Sequence, residues 1–169
     1  MKRFQLSPTV ALMFVGALVG TSVAKEKQTA QPKSNGQYLY EIGKRFLDYE
    51  DDFLTFAKSH KDEEIEFEIL SDLRAIADMN QERLDAAAAL AALFNTYENM
   101  SCEKDRVFVK SHLIIQLLHD AKNLDFDVKS VNNDHSHTKL PAVAQTAARM
   151  KDDLRDVRAK FDALQASLK

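Results

Sequence analysis

The chain has 169 residues, of which 45% are hydrophobic and 29% are charged, and its formal net charge at pH 7 is -3. A single cysteine, Cys102, excludes a disulfide framework and covalent haem attachment, so stability has to come from the burial of apolar surface. No basic stretch with interleaved aromatic residues is present, and we therefore expect no nucleic-acid binding. We expect Cys102 to be half-buried in the first turn of a helix, the alternative being an intermolecular disulfide or a reactive thiol.

The N-terminal segment 1–24 has the pattern of a secretory signal peptide. Two basic residues precede an apolar run over residues 10–19, and small residues follow up to Ala24. The run is much shorter than the ~20 residues of a membrane-spanning helix, so we expect cleavage after Ala24 and no stable membrane span in the mature chain. The predicted location is periplasmic or secreted. Residues 25–35 are then a flexible lead-in to a single helical-bundle domain over residues 36–169.

Four segments carry apolar residues at alternating steps of three and four, which is the spacing of one face of an α-helix. The sequence therefore predicts an all-α fold, an antiparallel four-helix bundle with long helices and coiled-coil-like heptad faces. The turns between the segments are short, and short turns place consecutive helices side by side in opposite directions.

The first predicted helix extends to about Ser59 and has Ser34 or Asn35 as its N-cap. Its apolar residues follow the helical spacing closely, and three more widen the face that we expect to be buried. The central residues of this face are Leu39, Ile42, Phe46, Tyr49, Phe53 and Phe56, and the widening residues are Tyr40, Leu47 and Leu54.

The second predicted helix, over residues 62–98, has an interrupted apolar face. Asp72 and Arg83 occupy two positions in its register, and Leu73 and Leu84 stand beside them. One interpretation is a drift or a kink of the helix that turns the leucines inward, and the other is a buried charge that fixes the register. The remaining apolar residues in register are Ile65, Ile69, Ile76, Met79, Leu90, Leu93 and Tyr97. A run of alanines over residues 86–92 favours the close approach of a neighbouring helix.

The third predicted helix carries apolar residues on two faces. Behind a predicted cap at Ser101, the main face consists of Val107, Ile114, Leu117, Ala121, Leu124, Val128 and Val131. Phe108 and Ile115 lie seven residues apart on another face. Either this helix is covered on two sides, or it offers an apolar patch to a partner.

The apolar patch leads to the predicted function, which is binding to a protein partner or to a second copy of the chain. Phe108 and Ile115, flanked by His112 and His119, are the predicted contact residues, since apolar anchors within a polar rim are typical of interfaces. Histidines at such a rim make a contact sensitive to pH. The sequence does not separate an adaptor, a chaperone-like protein and a toxin-neutralising protein.

A polar segment over residues 132–138 predicts a loop before the fourth helix, and it carries Asp134, His135 and His137. A loop can fold two imidazoles and a carboxylate around zinc or copper, so a small metal-binding bundle is the alternative function. No fourth ligand is evident, and a structural stalk module is the third alternative. The fourth helix, from Pro141 to Leu168, has the most regular apolar face, formed by Val143, Ala147, Met150, Leu154, Val157, Phe161, Leu164 and Leu168.

No catalytic or cofactor motif accompanies these helices. A di-iron bundle needs a Glu-x-x-His repeat, and no glutamate here has a histidine three residues later. The region after the predicted leader has only two glycines, Gly36 and Gly43, so a strained loop for an oxyanion hole is not expected. We therefore expect neither a cofactor nor enzyme activity.

Overall fold

All four predicted helices are present in the computed structural model of the chain, which describes residues 34–99 and 101–168 and omits the side chains of Tyr97 and Glu98. No strand occurs in this part of the chain, so the prediction of an all-α fold is confirmed. The predicted signal peptide and residues 25–33 of the predicted lead-in lie outside the described residues. The helices are α1 (Asn35–Ser59), α2 (Glu64–Glu98), α3 (Glu103–His137) and α4 (Pro141–Leu168).

The helices are arranged as a bundle in which α1 packs on α2 and α4, and α3 packs on the same two neighbours. Among the described residues α1 and α3 do not meet, so they occupy opposite corners of the bundle. One apolar core lies between the helices, and its largest fully buried side chains include Phe46, Phe53, Leu117, Met150 and Phe161. None of the described helices is both long enough and apolar enough to cross a lipid bilayer.

Helix α1 begins where the sequence predicts. The Ser34 hydroxyl accepts a hydrogen bond from the Gln37 backbone N–H at 3.2 Å, which satisfies one of the N–H groups left without a partner at a helix start. The predicted central face is buried except for Phe56, which is half-buried. Tyr40 and Leu47 are 49% and 44% exposed, so the prediction that they widen the buried face is wrong.

Helix α2 is continuous along its whole length, and each of the two interpretations of its sequence holds at one position. Arg83 is partly buried and pairs with the buried carboxylate of Asp127, whereas at Asp72 the apolar face drifts around the helix. Leu73 and Leu84 are fully buried, whereas Asp72 is exposed. The heptad prediction is wrong at three positions, because these residues of the predicted face are exposed to solvent. Ile65, Met79 and Leu93 are 66%, 41% and 42% exposed. A straight α-helix has 3.6 residues per turn and therefore leaves a strict seven-residue repeat within a few heptads.

The alanine-rich part of α2 lies directly against the start of α1, which confirms the predicted close approach. A Cβ atom added to Gly36 would lie 3.1 Å from the carbonyl oxygen of Ala88 and 3.5 Å from the backbone nitrogen of Ala92. The two helices therefore approach each other here through backbone and methyl groups alone.

The start of α3 differs from the prediction. Cys102, not Ser101, occupies the N-cap position, and its side chain makes no capping hydrogen bond. Cys102 is exposed, so the expectation of a half-buried thiol is wrong. Val107 is 56% exposed, so the prediction is wrong at this position. The rest of the predicted face is buried or partly buried, and Val109 and Leu113 extend it.

The end of α3 also differs, because the predicted loop over residues 132–138 is helical up to His137. Val131 and Asp134 are buried there, so the segment faces the bundle although its composition is polar. The turn that follows is held by Glu66 of α2, whose carboxylate accepts hydrogen bonds of 2.7 Å from the Thr138 hydroxyl and from the Lys139 backbone N–H. These bonds set the start of α4, whose predicted apolar face is buried along its whole length.

Candidate functional site

The outer face of α3 carries a line of large apolar side chains in contact with solvent. Phe108, Ile115 and Phe126 are 62%, 65% and 69% exposed. They are separated by seven and eleven residues, close to two and three helical turns, so all three point in the same direction. We call this surface the α3 stripe and define it as Phe108, His112, Ile115, His119 and Phe126.

The two histidines of the α3 stripe lie between its apolar residues. The His112 ring packs on the Phe108 ring with 4.0 Å between the centroids, and its Nδ1 donates to the Phe108 carbonyl at 2.9 Å. The His119 side chain is 69% exposed, and its Nδ1 lies 3.2 Å from a carboxylate oxygen of Asp120. The four predicted contact residues therefore share one face of one helix.

Phe126 completes the α3 stripe, and the sequence interpretation missed it. The signal is present in the sequence, because Phe126 follows Phe108 by 18 residues, which is five full turns. Leu118, 46% exposed, borders the stripe on one side. The exposure of Phe108 and Ile115 also decides between the two interpretations of α3, since a helix covered on two sides within the chain would bury them.

Exposed apolar residues are unevenly distributed over the bundle. Of the large apolar side chains that are more than half exposed in the described part of the chain, four lie on α3, one lies on α2 and none lies on α1 or α4. Single exposed apolar residues are normal on protein surfaces, but a row of them along one helix marks an interaction surface. This concentration distinguishes α3 as the candidate site.

Three aspartates of α3 are buried, and one of them, Asp127, bonds to α2 and helps to fix the orientation of α3. Asp120, Asp127 and Asp134 are 1%, 3% and 7% exposed, and they are spaced seven residues apart on one face. Asp127 accepts hydrogen bonds from Asn80 Nδ2 of α2 at 2.9 Å and from the Arg83 guanidinium. Asp120 accepts from the Gln116 amide on its own helix at 2.8 Å.

The hydrogen bond to the carboxylate of the third buried aspartate, Asp134, is longer than those to Asp120 and Asp127. Asp134 has a 3.3 Å hydrogen bond from the Asn133 amide. Burial raises the pKa of its carboxyl above the ordinary value, and the carboxylate of Asp72 adds to the rise. The Asn133 hydrogen bond and the nearby His137 oppose it.

The structure does not support the alternative prediction of a metal site at Asp134, His135 and His137. Asp134, His135 and His137 belong to the last turns of α3, so they are not carried by a loop that can fold around an ion. The His137 Nδ1 donates to the Asn133 carbonyl at 2.7 Å. Within residues 34–99 and 101–168, no group of three or more histidine, cysteine, aspartate or glutamate side chains is placed to hold a metal ion.

Comparison with protein-family models, with curated proteins and with solved structures gives no match for this chain. Its function therefore has to be inferred from the geometry of its own residues. The exposed α3 stripe is the feature of that geometry that requires an explanation.

Proposed function

We propose that this chain is an exported antiparallel helical bundle that acts by binding rather than by catalysis, and that the α3 stripe associates with the same stripe of a second copy. The observation that carries the proposal is the row of exposed apolar side chains along α3. The direction of the helices, the pattern of the stripe and its energetics each support it.

Contacts between the helices support the antiparallel arrangement. Near its start, α1 has Gly36 against Ala92 of α2, whereas further along Glu50 of α1 accepts a 2.8 Å hydrogen bond from Arg74. Later residues of α1 thus meet earlier residues of α2. The pair of α3 and α4 follows the same rule, since Asp125 accepts from Arg158 at 3.1 Å and Asn132 accepts from Lys151 at 3.1 Å.

Burial of the α3 stripe in an interface contributes free energy of stabilisation that the exposed stripe of a single chain lacks. Full burial of a large apolar side chain contributes about 1.5–3 kcal/mol, and Phe108, Ile115 and Phe126 each retain more than half of their exposure in the single chain. Aromatic residues are also common anchors at interfaces, where their rings fill space at a small loss of conformational entropy.

The pattern of the α3 stripe favours a second copy as the partner. Four of the five stripe residues, Phe108, Ile115, His119 and Phe126, are separated by seven, four and seven residues, so their spacing is the same in both chain directions. His112 has no counterpart in this series. A two-fold axis that crosses the stripe at the height of residue 117 along the helix then pairs two stripes in opposite directions. Phe108 meets Phe126 of the second copy, and Ile115 meets His119. Such self-complementary contacts are the rule in two-fold dimers.

The size of the stripe predicts a weak dimer. Eighteen residues of helix span about 27 Å, and one helix face is narrow compared with the roughly 800 Å² per partner of a standard interface. We therefore expect dissociation to occur within an accessible range of protein concentration.

Sedimentation equilibrium of the purified chain tests the proposal. An Ile115→Asp variant should be monomeric at concentrations where the parent dimerises, because desolvating an ionised carboxylate in the middle of the contact costs more than one facing imidazole returns. Ile65→Asp is the matched control, since Ile65 on α2 is 66% exposed and Ile115 is 65% exposed. A parent that is monomeric at all concentrations, or two variants that dissociate equally, contradicts self-association.

The proposal of export is based on the N-terminal sequence, where a basic start, an apolar run and small residues precede Ala24. The matching measurement is the intact mass of the protein recovered from outside the cytoplasm. A chain that starts at Lys25 supports the proposed periplasmic or secreted location, and a chain that retains the first 24 residues contradicts it.

A further inference from the structure

A second surface feature, separate from the α3 stripe, lies between α1 and α2 near the turn that joins them. It is a groove of about 520 Å³, a volume within the range of small-molecule sites. Its apolar lining comes from Leu54 and Ala57 of α1 and from Phe67 and Leu70 of α2. The groove exists because the α2 residues that continue it, Ser71 and Ala75, are too small to fill the space between the helices.

The charges around this groove are arranged with opposite signs at its two ends. Lys58 and Lys61 line the end at the α1–α2 turn, and neither forms an ion pair or a hydrogen bond with another described residue. Arg74 also lines the groove, but its guanidinium is engaged by the Glu50 carboxylate at 2.8 Å. Asp78 lies at the other end. The groove thus has two available cations at one end, an apolar middle and an acid at the other end.

We propose that this groove binds a single-chain amphiphile with an anionic head, such as an alkyl carboxylate. The head group is held by Lys58 and Lys61, and the alkyl chain covers Leu54 and Phe67. Asp78 repels a carboxylate, so the charges also define the orientation of the ligand. Phe67 is 44% exposed without a ligand, and an alkyl chain in the groove buries it.

Titration of the purified chain with decanoate, below the concentration at which decanoate forms micelles, tests the proposal by calorimetry and by nuclear magnetic resonance. We expect saturable binding, with shift changes at residues that line the groove. Decyltrimethylammonium has the same chain with the opposite head charge and should bind at least tenfold more weakly.

Three variants locate the site. A Lys58→Glu/Lys61→Glu double variant should weaken decanoate binding at least tenfold, and Ala75→Leu should weaken it by filling the groove. A Lys104→Glu/Lys122→Glu double variant has the same change in charge at exposed positions outside the groove and should bind as the parent does. Absence of saturable binding, equal binding of the cationic amphiphile, or equal loss in the two double variants overturns the proposal. Ile115→Asp should leave decanoate binding unchanged, so this result is independent of the self-association test.

Discussion

The two glycines of α1 show how differently a single methyl group acts at two places in one helix interface. At Gly36 an added Cβ meets the backbone carbonyl of Ala88 at 3.1 Å, and a helix backbone cannot move aside on its own. At Gly43 the nearest atoms are a carboxylate oxygen of Asp85 at 3.3 Å and the Leu84 Cβ at 3.5 Å. The Asp85 side chain can rotate to make room.

We therefore expect substitutions of these glycines to have opposite effects. Gly36→Ala should lower the free energy of unfolding by about 1 kcal/mol, because overpacking outweighs the gain in helix propensity. Gly43→Ala should raise it by up to about 1 kcal/mol, since alanine is the better helix former and little has to move. Urea denaturation of both variants measures the two changes, and effects of the same sign contradict this account of the α1–α2 contact.

The buried carboxyl of Asp134 gives a prediction with a defined pH dependence. Because burial raises its pKa in the folded state, the neutral carboxyl is favoured there. The group's contribution to stability is therefore complete below its ordinary pKa of 3.8 and is lost as the pH rises through the folded-state pKa. The carboxylate also lies in the last turn of α3, where a negative charge opposes the helix dipole.

An Asp134→Asn variant should accordingly be more stable than the parent at pH 7, and the gain should disappear near pH 3. Thermal melts at the two pH values measure the difference. Asp72 is the nearby acid that raises this pKa, so Asp72→Asn should reduce the benefit of the Asp134 substitution. A gain of the same size at both pH values means that charge is not its cause.

At the scale of elements, the contact between α2 and α3 depends on polar groups within an apolar bundle. Asn80 is fully buried, and its amide donates to Asp127 at 2.9 Å and to the Ile76 carbonyl at 2.8 Å. Arg83 also donates to Asp127. These bonds can form in only one register of the two helices, so they select this register over its slipped alternatives.

Removing Asp127 should therefore be costly. We expect Asp127→Ala to lower the free energy of unfolding by about 3 kcal/mol, since the Asn80 amide and the Arg83 guanidinium lose their partner inside the bundle. Asp125→Ala is the control, because Asp125 is 57% exposed in its ion pair with Arg158 and should contribute less than about 1 kcal/mol. Chemical denaturation of both variants distinguishes them, and equal losses rule out a special role for the buried network.

The same polar groups mark the limit of what the sequence could predict about the elements. Helix α4 is predictable along its length because eight apolar residues at helical spacing define its inward face, although Thr146 and Asp153 are also buried there. Helix α3 is not, since Asp120, Asp127 and Asp134 take inward positions that a hydrophobic pattern assigns to solvent. The polar composition of its last turns predicts a loop for the same reason, although these turns are helical and Asp134 is buried there.

The two candidate sites also differ in how far the sequence predicts them. Phe108 and Ile115 could be predicted as an outer patch because one helix carries them, and helical spacing alone places them on one face. The groove between α1 and α2 could not be predicted. It depends on Ser71 and Ala75 of one helix lying opposite Leu54 and Ala57 of another, a relation that arises only when the helices pack.

At the scale of the whole molecule, we expect the α3 stripe and the groove to be two surfaces with separate roles. The α3 stripe is held outward by α2, through Asp127, and by the apolar core on its inner face. The groove lies between α1 and α2, on elements that do not contribute residues to the stripe. Because α1 and α3 occupy opposite corners of the bundle, a dimer formed through α3 leaves the groove open.

The most direct test of the central claim, that two copies pair through α3 in opposite directions, is cross-linking between cysteines placed beside the stripe in a Cys102→Ser background. Ser111 and Lys122 are exposed and eleven residues apart, so they lie along one flank of the stripe. Opposed pairing brings Ser111 next to Lys122 of the second copy and keeps the two Ser111 residues about 18 Å apart. A Ser111→Cys/Lys122→Cys variant should form a covalent dimer on mild oxidation, and Ser111→Cys alone should not. A double variant that stays monomeric, or a single variant that cross-links as readily, contradicts the account.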